Sequence, residues 1–213
     1  MIGLTGGIAS GKSTVTSRLR ARGAFVVDAD EISREVLTLP GVPEAIREAF
    51  GDGVFDEDGS INRIELAARV FSSEARTRVL NSITHPAIAS RILELASEAE
   101  QDGSYPLVFV DAALLIESGF YKHCSGVWLV TADTNTRIQR IMLRDGLTYD
   151  EARLRIERQM SDSEKLRCAS VVIGNDGSPE ELYAKVDEAF NAELISSSQP
   201  ELCEIRDLYE EEQ

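Results

Sequence analysis

The sequence predicts an α/β protein with a five-stranded parallel sheet flanked by helices, and three observations support this. Five short, β-branched apolar runs lack polar alternation, as expected for strands buried on both faces of a parallel sheet. Helical patterns lie between these runs, and the first run leads directly into a glycine-rich loop. The predicted strands are residues 2–4, 24–27, 107–110, 127–130 and 171–173.

Recognisable start and stop signals mark several of the helices. The first helix is expected over residues 12–22 and ends at Gly23, because glycine readily takes the left-handed conformation found after a helix. Two later helices begin with capping boxes, "TYDE" at 148–151 and "SPEE" at 178–181. These signals place helices between the predicted strands.

Two helical stretches interrupt the strand–helix alternation. Both leave from the carboxyl ends of strands, which is where open parallel sheets bind ligands. We therefore expect an acceptor-binding region and a lid beside a nucleotide-binding core, followed by an acidic tail. The predicted parts are the core at 1–30, 103–135 and 166–192, the helical acceptor region at 31–102, the helical lid at 136–165 and the tail at 193–213.

Composition limits the classes of function. The net charge of −15 argues against a nucleic-acid partner, since phosphate backbones are bound by basic surfaces. No apolar run approaches the roughly 20 residues of a membrane span. The three cysteines are widely spaced and form no C-x-x-C pair, which favours a reducing compartment. We expect a cytoplasmic protein without a membrane partner; the oligomeric state is left open.

The segment "GGIASGKS" at residues 6–13 fits the phosphate-binding pattern G-x-x-x-x-G-K-[ST]. Its glycines allow successive backbone N–H groups to turn inward, where the following helix adds its positive end. Lys12 is expected at the β- and γ-phosphates of ATP, Ser13 at Mg²⁺ and Thr14 near the α-phosphate. This stretch is a P-loop.

Carboxylates follow two of the predicted strands at the ligand edge. The second strand ends in "VVDAD", so that Asp28 and Asp30 emerge close to the P-loop. Asp30 could accept a proton from an attacking hydroxyl, orient it, hold Mg²⁺ through water, or simply cap the next helix. Asp111 follows the third strand and is a candidate Mg²⁺ residue, with a purely structural role as the alternative.

Three arginines lie on one face of the predicted lid helix. Arg137, Arg140 and Arg144 have the spacing i, i+3 and i+7. Such arginines could neutralise the charge of a transferred phosphoryl group while a lid excludes water. The alternative is a solvated helix stabilised by surface ion pairs.

Other P-loop classes fit less well. A guanine-nucleotide switch would need N-K-x-D after a late strand, where this chain has "IGNDGS". Small size and an arginine-rich lid favour a kinase of a small acceptor. A nucleoside or nucleotide kinase and a non-catalytic nucleotide sensor remain as alternatives.

Several segments in order make the chain resemble the dephospho-CoA kinase family. They are "GLTGGIASGKS", "VVDADEISRE", "INRIELAARVF", "THP", "DAALLIESGFY", "RIMLRDGLT" and "VVIGNDG", and the resemblance spans about residues 2 to 190. It implies a P-loop kinase fold and ATP-dependent phosphorylation of the ribose 3′-hydroxyl of dephospho-CoA, the last step of coenzyme A synthesis.

The resemblance also implies roles for individual residues. Asp30 matches the proposed general base, Lys12 and Arg144 match charge-stabilising residues, and Arg140 matches a second lid arginine. The implied ATP-binding residues are Gly7, Ala9, Ser10, Gly11, Lys12, Ser13, Thr14 and Asn175. The implied acceptor-binding residues are Asp30, Arg63, His85, Leu115 and Glu117.

Some positions depart from the family pattern or stay ambiguous. Ala9 replaces a glycine in the P-loop, Ala113 replaces a proline, and "CAS" at 168–170 replaces the usual alanine–aspartate pair. For His85, a turn at His-Pro with a satisfied imidazole is the alternative to an acceptor contact. None of the departures removes a residue assigned to chemistry.

Overall fold

The computed structural model describes residues 1–70 and 72–198. Its centre is a five-stranded parallel sheet with strand order β2-β3-β1-β4-β5, which confirms the predicted fold class. The strands are β1 Ile2–Gly6, β2 Phe25–Asp28, β3 Val108–Asp111, β4 Val127–Thr131 and β5 Val171–Gly174. Each of the five predicted strands overlaps an observed one.

Nine α-helices lie among the described residues. They are α1 Lys12–Ala21, α2 Ala29–Glu35, α3 Val42–Phe50, α4 Arg63–Val70, α5 Glu74–Asp102, α6 Thr134–Asp145, α7 Tyr149–Glu157, α8 Asp162–Leu166 and α9 Pro179–Ser198. Single 3-10 turns occupy Val36–Thr38, Asp52–Val54 and Phe120–His123. No helix in the described ranges combines the length and apolar content that a bilayer crossing requires.

The strand register places the carboxyl ends of β3 and β4 beside the carboxyl end of β1. Leu4 of β1 pairs with Asp111 of β3 on one side and with Trp128 of β4 on the other. Both neighbours run parallel to β1, so their carboxyl ends meet at the edge where β1 leads into the P-loop. Asp111 therefore lies beside the P-loop, as expected.

Apolar residues from the strands, α1 and α9 form the main core. The side chains of Phe109 and Trp128 meet edge to face, with ring centroids 5.0 Å apart. The buried members are Ile2, Leu4, Val15, Leu19, Ala24, Leu107, Phe109, Trp128, Val130, Ile173, Leu182, Val186 and Phe190. Burial of this set fixes the sheet against the two helices.

The chain divides into two compact units. One contains Met1–Val26 and the described residues from Ala99 onward, and the other is Val27–Glu98. The second unit is helical, as predicted for the insertion, and Arg91 of α5 pairs there with Glu35 of α2 at 3.0 Å. Its buried residues include Val36 and Ile46.

The helix-capping predictions are confirmed. Gly23 has a φ of +87° just after α1. Thr148 caps α7 in a reciprocal capping box with Glu151. Ser178 accepts a hydrogen bond from the Glu181 N–H at 3.2 Å at the start of α9.

Three details differ from the sequence expectations. The lid region contains a third short helix, α8, because Ser161 and Glu164 form a further capping box. The turn considered as the alternative at His85 does not form: His-Pro lies inside the long helix α5, where tertiary context overrides the cost of proline. Helix α9 continues to Ser198, so residues 193–198 of the expected tail are helical, and Leu194 packs against the core. The acidic segment 199–213 lies outside the described residues.

Candidate active site

The P-loop connects β1 to α1 and lines a cavity of about 890 Å³. The Ser10 N–H donates to the Gly7 carbonyl at 3.0 Å, which closes the turn of the loop. Helix α1 begins at Lys12, so its positive end faces the loop. The lining residues are 6–14, Ala113, Arg140, Leu143, Arg144, Gln159, Asn175, Gly177, Pro179 and Leu182. All seven P-loop residues assigned to ATP, and Asn175, lie on this cavity.

Two P-loop glycines are needed because side chains from elsewhere approach the backbone. A Cβ at Gly7 would collide with the guanidinium of Arg137. A Cβ at Gly11 would collide with the side-chain amide of Asn175, and the φ of Gly11 is +96°. The sequence identified both glycines but not the side chains that require them.

Outward-facing carbonyls of the loop are held by side chains. Asn175 Nδ2 donates to the Ser10 carbonyl at 2.7 Å. Arg140 donates to the Ala9 carbonyl at 3.2 Å and to the backbone carbonyl of Asn175 at 2.9 Å. Arg140 and Asn175 therefore help to shape the loop, a role beyond the ligand contacts predicted for them.

Lys12, Asp111 and Thr16 form a polar cluster at the base of the P-loop. Lys12 Nζ pairs with one oxygen of Asp111, and Thr16 Oγ1 donates to the other at 2.5 Å. Asp111 is buried and has both oxygens engaged. Thr16 was not identified from the sequence, although its position one turn after Lys12 in α1 placed it on the same helix face.

The three lid arginines of α6 differ in exposure. Arg137 is 4% exposed, Arg140 lies partly buried against the P-loop, and the side chain of Arg144 is 59% exposed. Arg144 Nε donates to Asp145 at 2.8 Å. This hydrogen bond raises the pKa of Arg144 and lowers that of Asp145. Arg155 pairs with the same carboxylate at 2.8 Å. Arg137 is therefore not a solvated surface arginine. Arg144, in contrast, is exposed and forms a surface ion pair, as the alternative interpretation of the helix expected.

Glu117 and Leu115, two expected acceptor residues, lie on the segment after β3. Glu117 pairs with the fully buried Lys165 at 2.9 Å, and this Nζ has no aligned hydrogen-bond partner within the described ranges. Leu115 is fully buried, and its side chain fills the space above Gly3. Glu117 keeps part of its side chain at the surface, whereas Leu115 does not.

Asp30, Arg63 and His85 belong to the helical unit, and all three are exposed. The capping role considered for Asp30 belongs to Asp28, which accepts hydrogen bonds from the N–H groups of Asp30 and Glu31 at 2.9 and 3.0 Å. The carboxylate of Asp30 makes no hydrogen bond or ion pair with the residues described, so both of its oxygens can accept hydrogen bonds from a ligand.

Two side chains offer oxygen ligands for Mg²⁺, the hydroxyl of Ser13 and the carboxylate of Asp111. Ser13 is exposed on the cavity, and Asp111 lies at the end of the strand next to the P-loop. These are the oxygen ligands Mg²⁺ takes alongside nucleotide phosphates, so the residues fit the ion. Within the described ranges, no group of three acidic, histidine or cysteine residues could form an all-protein metal site.

Comparison with known proteins gives consistent matches. Residues 1–181 match the family model described as dephospho-CoA kinase. The chain is 41% identical over 197 residues to the dephospho-CoA kinase of Corynebacterium glutamicum, covering 92% of this chain and 97% of the relative. It is 46% identical over 192 residues to that of Leifsonia xyli subsp. xyli, covering 88% and 95%.

Solved structures show the same fold. TT1252 from Thermus thermophilus is 35% identical, with a TM-score of 0.77 and coverage of 91% of this chain and 96% of that one. The dephospho-CoA kinase from Campylobacter jejuni is 24% identical, with a TM-score of 0.71 and coverage of 92% and 98%. At that identity the second likeness concerns the fold alone.

Proposed function

The chain belongs to the dephospho-CoA kinase family, and from that premise we propose how its residues carry out the reaction. It phosphorylates dephospho-CoA with ATP to give coenzyme A, the final step of coenzyme A biosynthesis. The observation that carries the assignment is the family match over residues 1–181, which contains every residue lining the P-loop cavity except Leu182. We propose that the acceptor atom is the ribose 3′-hydroxyl.

The P-loop binds the phosphates of ATP in this proposal. The loop N–H groups that are not donated within the protein, together with the start of α1, bind the anionic oxygens, and Lys12 moves from Asp111 to the β- and γ-phosphates. Thr16 remains hydrogen-bonded to Asp111 when Lys12 leaves. The buried carboxylate therefore keeps one partner throughout.

Ser13 and Asp111 would hold Mg²⁺, Ser13 through its hydroxyl and Asp111 through water or directly. When bound, the ion supplies positive charge to the phosphate oxygens. The support is the exposed hydroxyl of Ser13 on the cavity and the position of Asp111 at the adjacent strand end.

The two cavity arginines of α6 have different roles in this proposal. Arg140 contributes charge from a fixed position, because its guanidinium is held by the carbonyls of Ala9 and Asn175. Arg144 is exposed and can exchange Asp145 for the transferred phosphoryl group. Arg155 then continues to neutralise Asp145. Charge that is placed before reaction costs no reorganisation in the transition state.

The acceptor is bound by Asp30, Arg63, His85 and Glu117, with Leu115 supporting the segment that carries Glu117. Asp30 accepts or orients the proton of the attacking hydroxyl. This role of Asp30 is supported by the exposure of its carboxylate, which does not cap α2. Arg63 offers an exposed cation, which suits the phosphates of the acceptor.

We propose a cytoplasmic enzyme without a nucleic-acid partner. Cys124 and Cys168 are free thiols, and burial raises the pKa of the Cys124 thiol to about 11. Such thiols fit a reducing compartment. The charge of −15 opposes binding to a nucleic-acid backbone.

The direct test measures ADP release from ATP·Mg²⁺ with dephospho-CoA, nucleosides, nucleoside monophosphates and coenzyme A as separate acceptors. Turnover with dephospho-CoA alone is expected. Turnover with a nucleoside or nucleotide instead would overturn the acceptor assignments while keeping those of the P-loop. Tight ATP binding with no acceptor-dependent release would favour a nucleotide sensor.

Asp30→Asn tests the acceptor side of the mechanism. We expect turnover to fall by about 10²–10⁴-fold, as for loss of a general base, with the Kd for ATP changed less than about threefold. Glu31→Gln is the matched control, since Glu31 is the adjacent exposed carboxylate on the same helix. Weaker ATP·Mg²⁺ binding at unchanged turnover would assign Asp30 to the metal instead.

A further inference from the structure

Ile8, the third residue of the P-loop, has both of its backbone polar groups held by side chains from the lid region. Its N–H donates to Gln159 Oε1 at 2.7 Å, and its carbonyl accepts from Arg137 Nε at 2.9 Å. These partners lie 151 and 129 residues further along the chain. No sequence motif indicated this arrangement, and it is independent of the phosphate contacts.

We propose that Gln159 is a positioning residue for the ATP site, which it holds in shape through the Ile8 N–H. The proposal rests on the proposed function, because it concerns the same P-loop cavity. Gln159 lies on that cavity with Lys12 and Ser13. It acts on ATP through the loop, not through the transferred group.

Gln159 is itself held in place by Arg137. Arg137 Nη2 lies 3.4 Å from Gln159 Oε1, and Nη1 lies 3.2 and 3.3 Å from the two oxygens of Asp162. Arg137 is 4% exposed, whereas Gln159 and Asp162 are partly exposed, so the guanidinium at the centre of the network is shielded from water. Shielded, charge-assisted hydrogen bonds are stronger than solvent-exposed ones.

Apolar packing supports the same residue of the loop. Ile8 and Ala9 pack against a small cluster formed by Ile138, Ile141 and Ala152 of α6 and α7. The side chain of Ile8 and both its backbone groups are therefore fixed by one region. Gly7 accommodates Arg137, because any larger residue would collide with its guanidinium.

Loss of the Gln159 carbonyl would leave a donor on the loop without its partner. The adjacent Ala9 has a φ of +59°, an unfavourable conformation for alanine that the surrounding contacts must maintain. Without the Gln159 contact, the loop can relax away from the shape that presents its other N–H groups to phosphate. The expected consequence is weaker ATP binding with little effect on the acceptor.

The test compares Gln159→Met with Gln139→Met. Methionine is similar in length to glutamine but lacks the carbonyl acceptor. Gln139 lies on α6, is exposed, and has no hydrogen bond to the residues described. Kd for ATP is measured by calorimetry without acceptor, and KM is measured for both substrates.

We expect Gln159→Met to raise Kd and KM for ATP about tenfold to a hundredfold, the range for a donor that loses its partner at a partly buried position. KM for dephospho-CoA should change less than about twofold, and Gln139→Met should change none of these values. Because Kd for ATP needs no acceptor, it tests this proposal even if the acceptor assignment fails.

An unchanged Kd for ATP in a folded Gln159→Met variant would overturn the proposal. Equal losses for both substrates together with a lower Tm would also overturn it, because they would indicate a general structural role. If Gln159→Met does not fold, Gln159→Asn replaces it. That variant keeps the amide but shortens its reach by one methylene, so the same selective weakening of ATP binding is expected.

Discussion

The lid has two regions of opposite character, which lie at the two ends of helix α6. The lid base, defined as Arg137, Gln159 and Asp162, is a hydrogen-bonded network that holds Ile8. The lid tip, defined as Leu143, Arg144 and Asp145, includes an 88% exposed leucine and an arginine bonded to its neighbour in sequence. The base has many long-range contacts, whereas the tip is held mainly by local ones.

The difference shows that a lid need not be one functional unit. The base is structurally an extension of the P-loop, because its side chains complete the hydrogen bonds of that loop. The tip is the part free to respond to a ligand, since few buried contacts oppose its movement. Arginines of one helix face can therefore serve architecture at one end and chemistry at the other.

Among the variants that compare base and tip, Arg144→Ala should produce the largest effect, and it tests the chemical role of the tip. Loss of a positive charge that stabilises the transferred phosphoryl group is expected to lower kcat about 10²–10³-fold, with the free energy of unfolding changed by less than about 0.5 kcal/mol. Steady-state kinetics and denaturant unfolding measure the two quantities. Arg153→Ala is the control, because Arg153 lies in α7, pairs with Glu157 alone among the described residues and is absent from the cavity lining. A near-normal kcat for Arg144→Ala would contradict the role of the tip.

Arg137→Ala tests the architectural role of the base. Removal of this buried cation leaves Asp162 and the Ile8 carbonyl without their partner. We expect the free energy of unfolding to fall by about 3 kcal/mol, near the lower limit for a broken buried pair because Asp162 is partly exposed. Denaturant unfolding compares the variant with Arg144→Ala. Equal destabilisation by the two substitutions would remove the distinction between base and tip.

Ala9→Gly should have the smallest effect and measures what the apolar cluster of Ile138, Ile141 and Ala152 contributes to loop conformation. Glycine relieves the cost of a positive φ, but the variant loses the methyl contact with that cluster and gains conformational entropy in the unfolded chain. These terms oppose each other, so the net change in unfolding free energy is expected to stay within about 1 kcal/mol. Thermal unfolding and KM for ATP measure the outcome. A KM rise as large as that of Gln159→Met would show that the methyl contact matters as much as the hydrogen bond.

The parts of the fold encoded in local pattern were predictable from the sequence. Buried strands, the P-loop and the boxes at Thr148 and Ser178 depend on neighbouring residues, and the structure has them where expected. The turn that remained an alternative at His85 is absent because a long packed helix tolerates the proline that local preference disfavours. Asp28 and Asp30 could not be separated, since either could reach the N–H groups at the start of α2.

The contacts of the lid base could not be predicted because spacing reveals a helix face but not what packs against it. Arg137 and Arg144 share a face and a residue type, and only the folded chain shows that one is buried and the other exposed. Gln159 belongs to no chemical motif and is distant in sequence from Ile8. Its role emerges only from tertiary contact.

Trp128 has a practical consequence for all of these measurements. It is the single tryptophan of the sequence, is fully buried in β4 and contacts Phe109 edge to face. Its indole N–H has no hydrogen-bond partner among the described residues. Tryptophan fluorescence, excited at wavelengths that tyrosine does not absorb, thus reports from one buried site within the sheet, and its shift to longer wavelength on contact with water gives an optical signal of core opening without any attached dye.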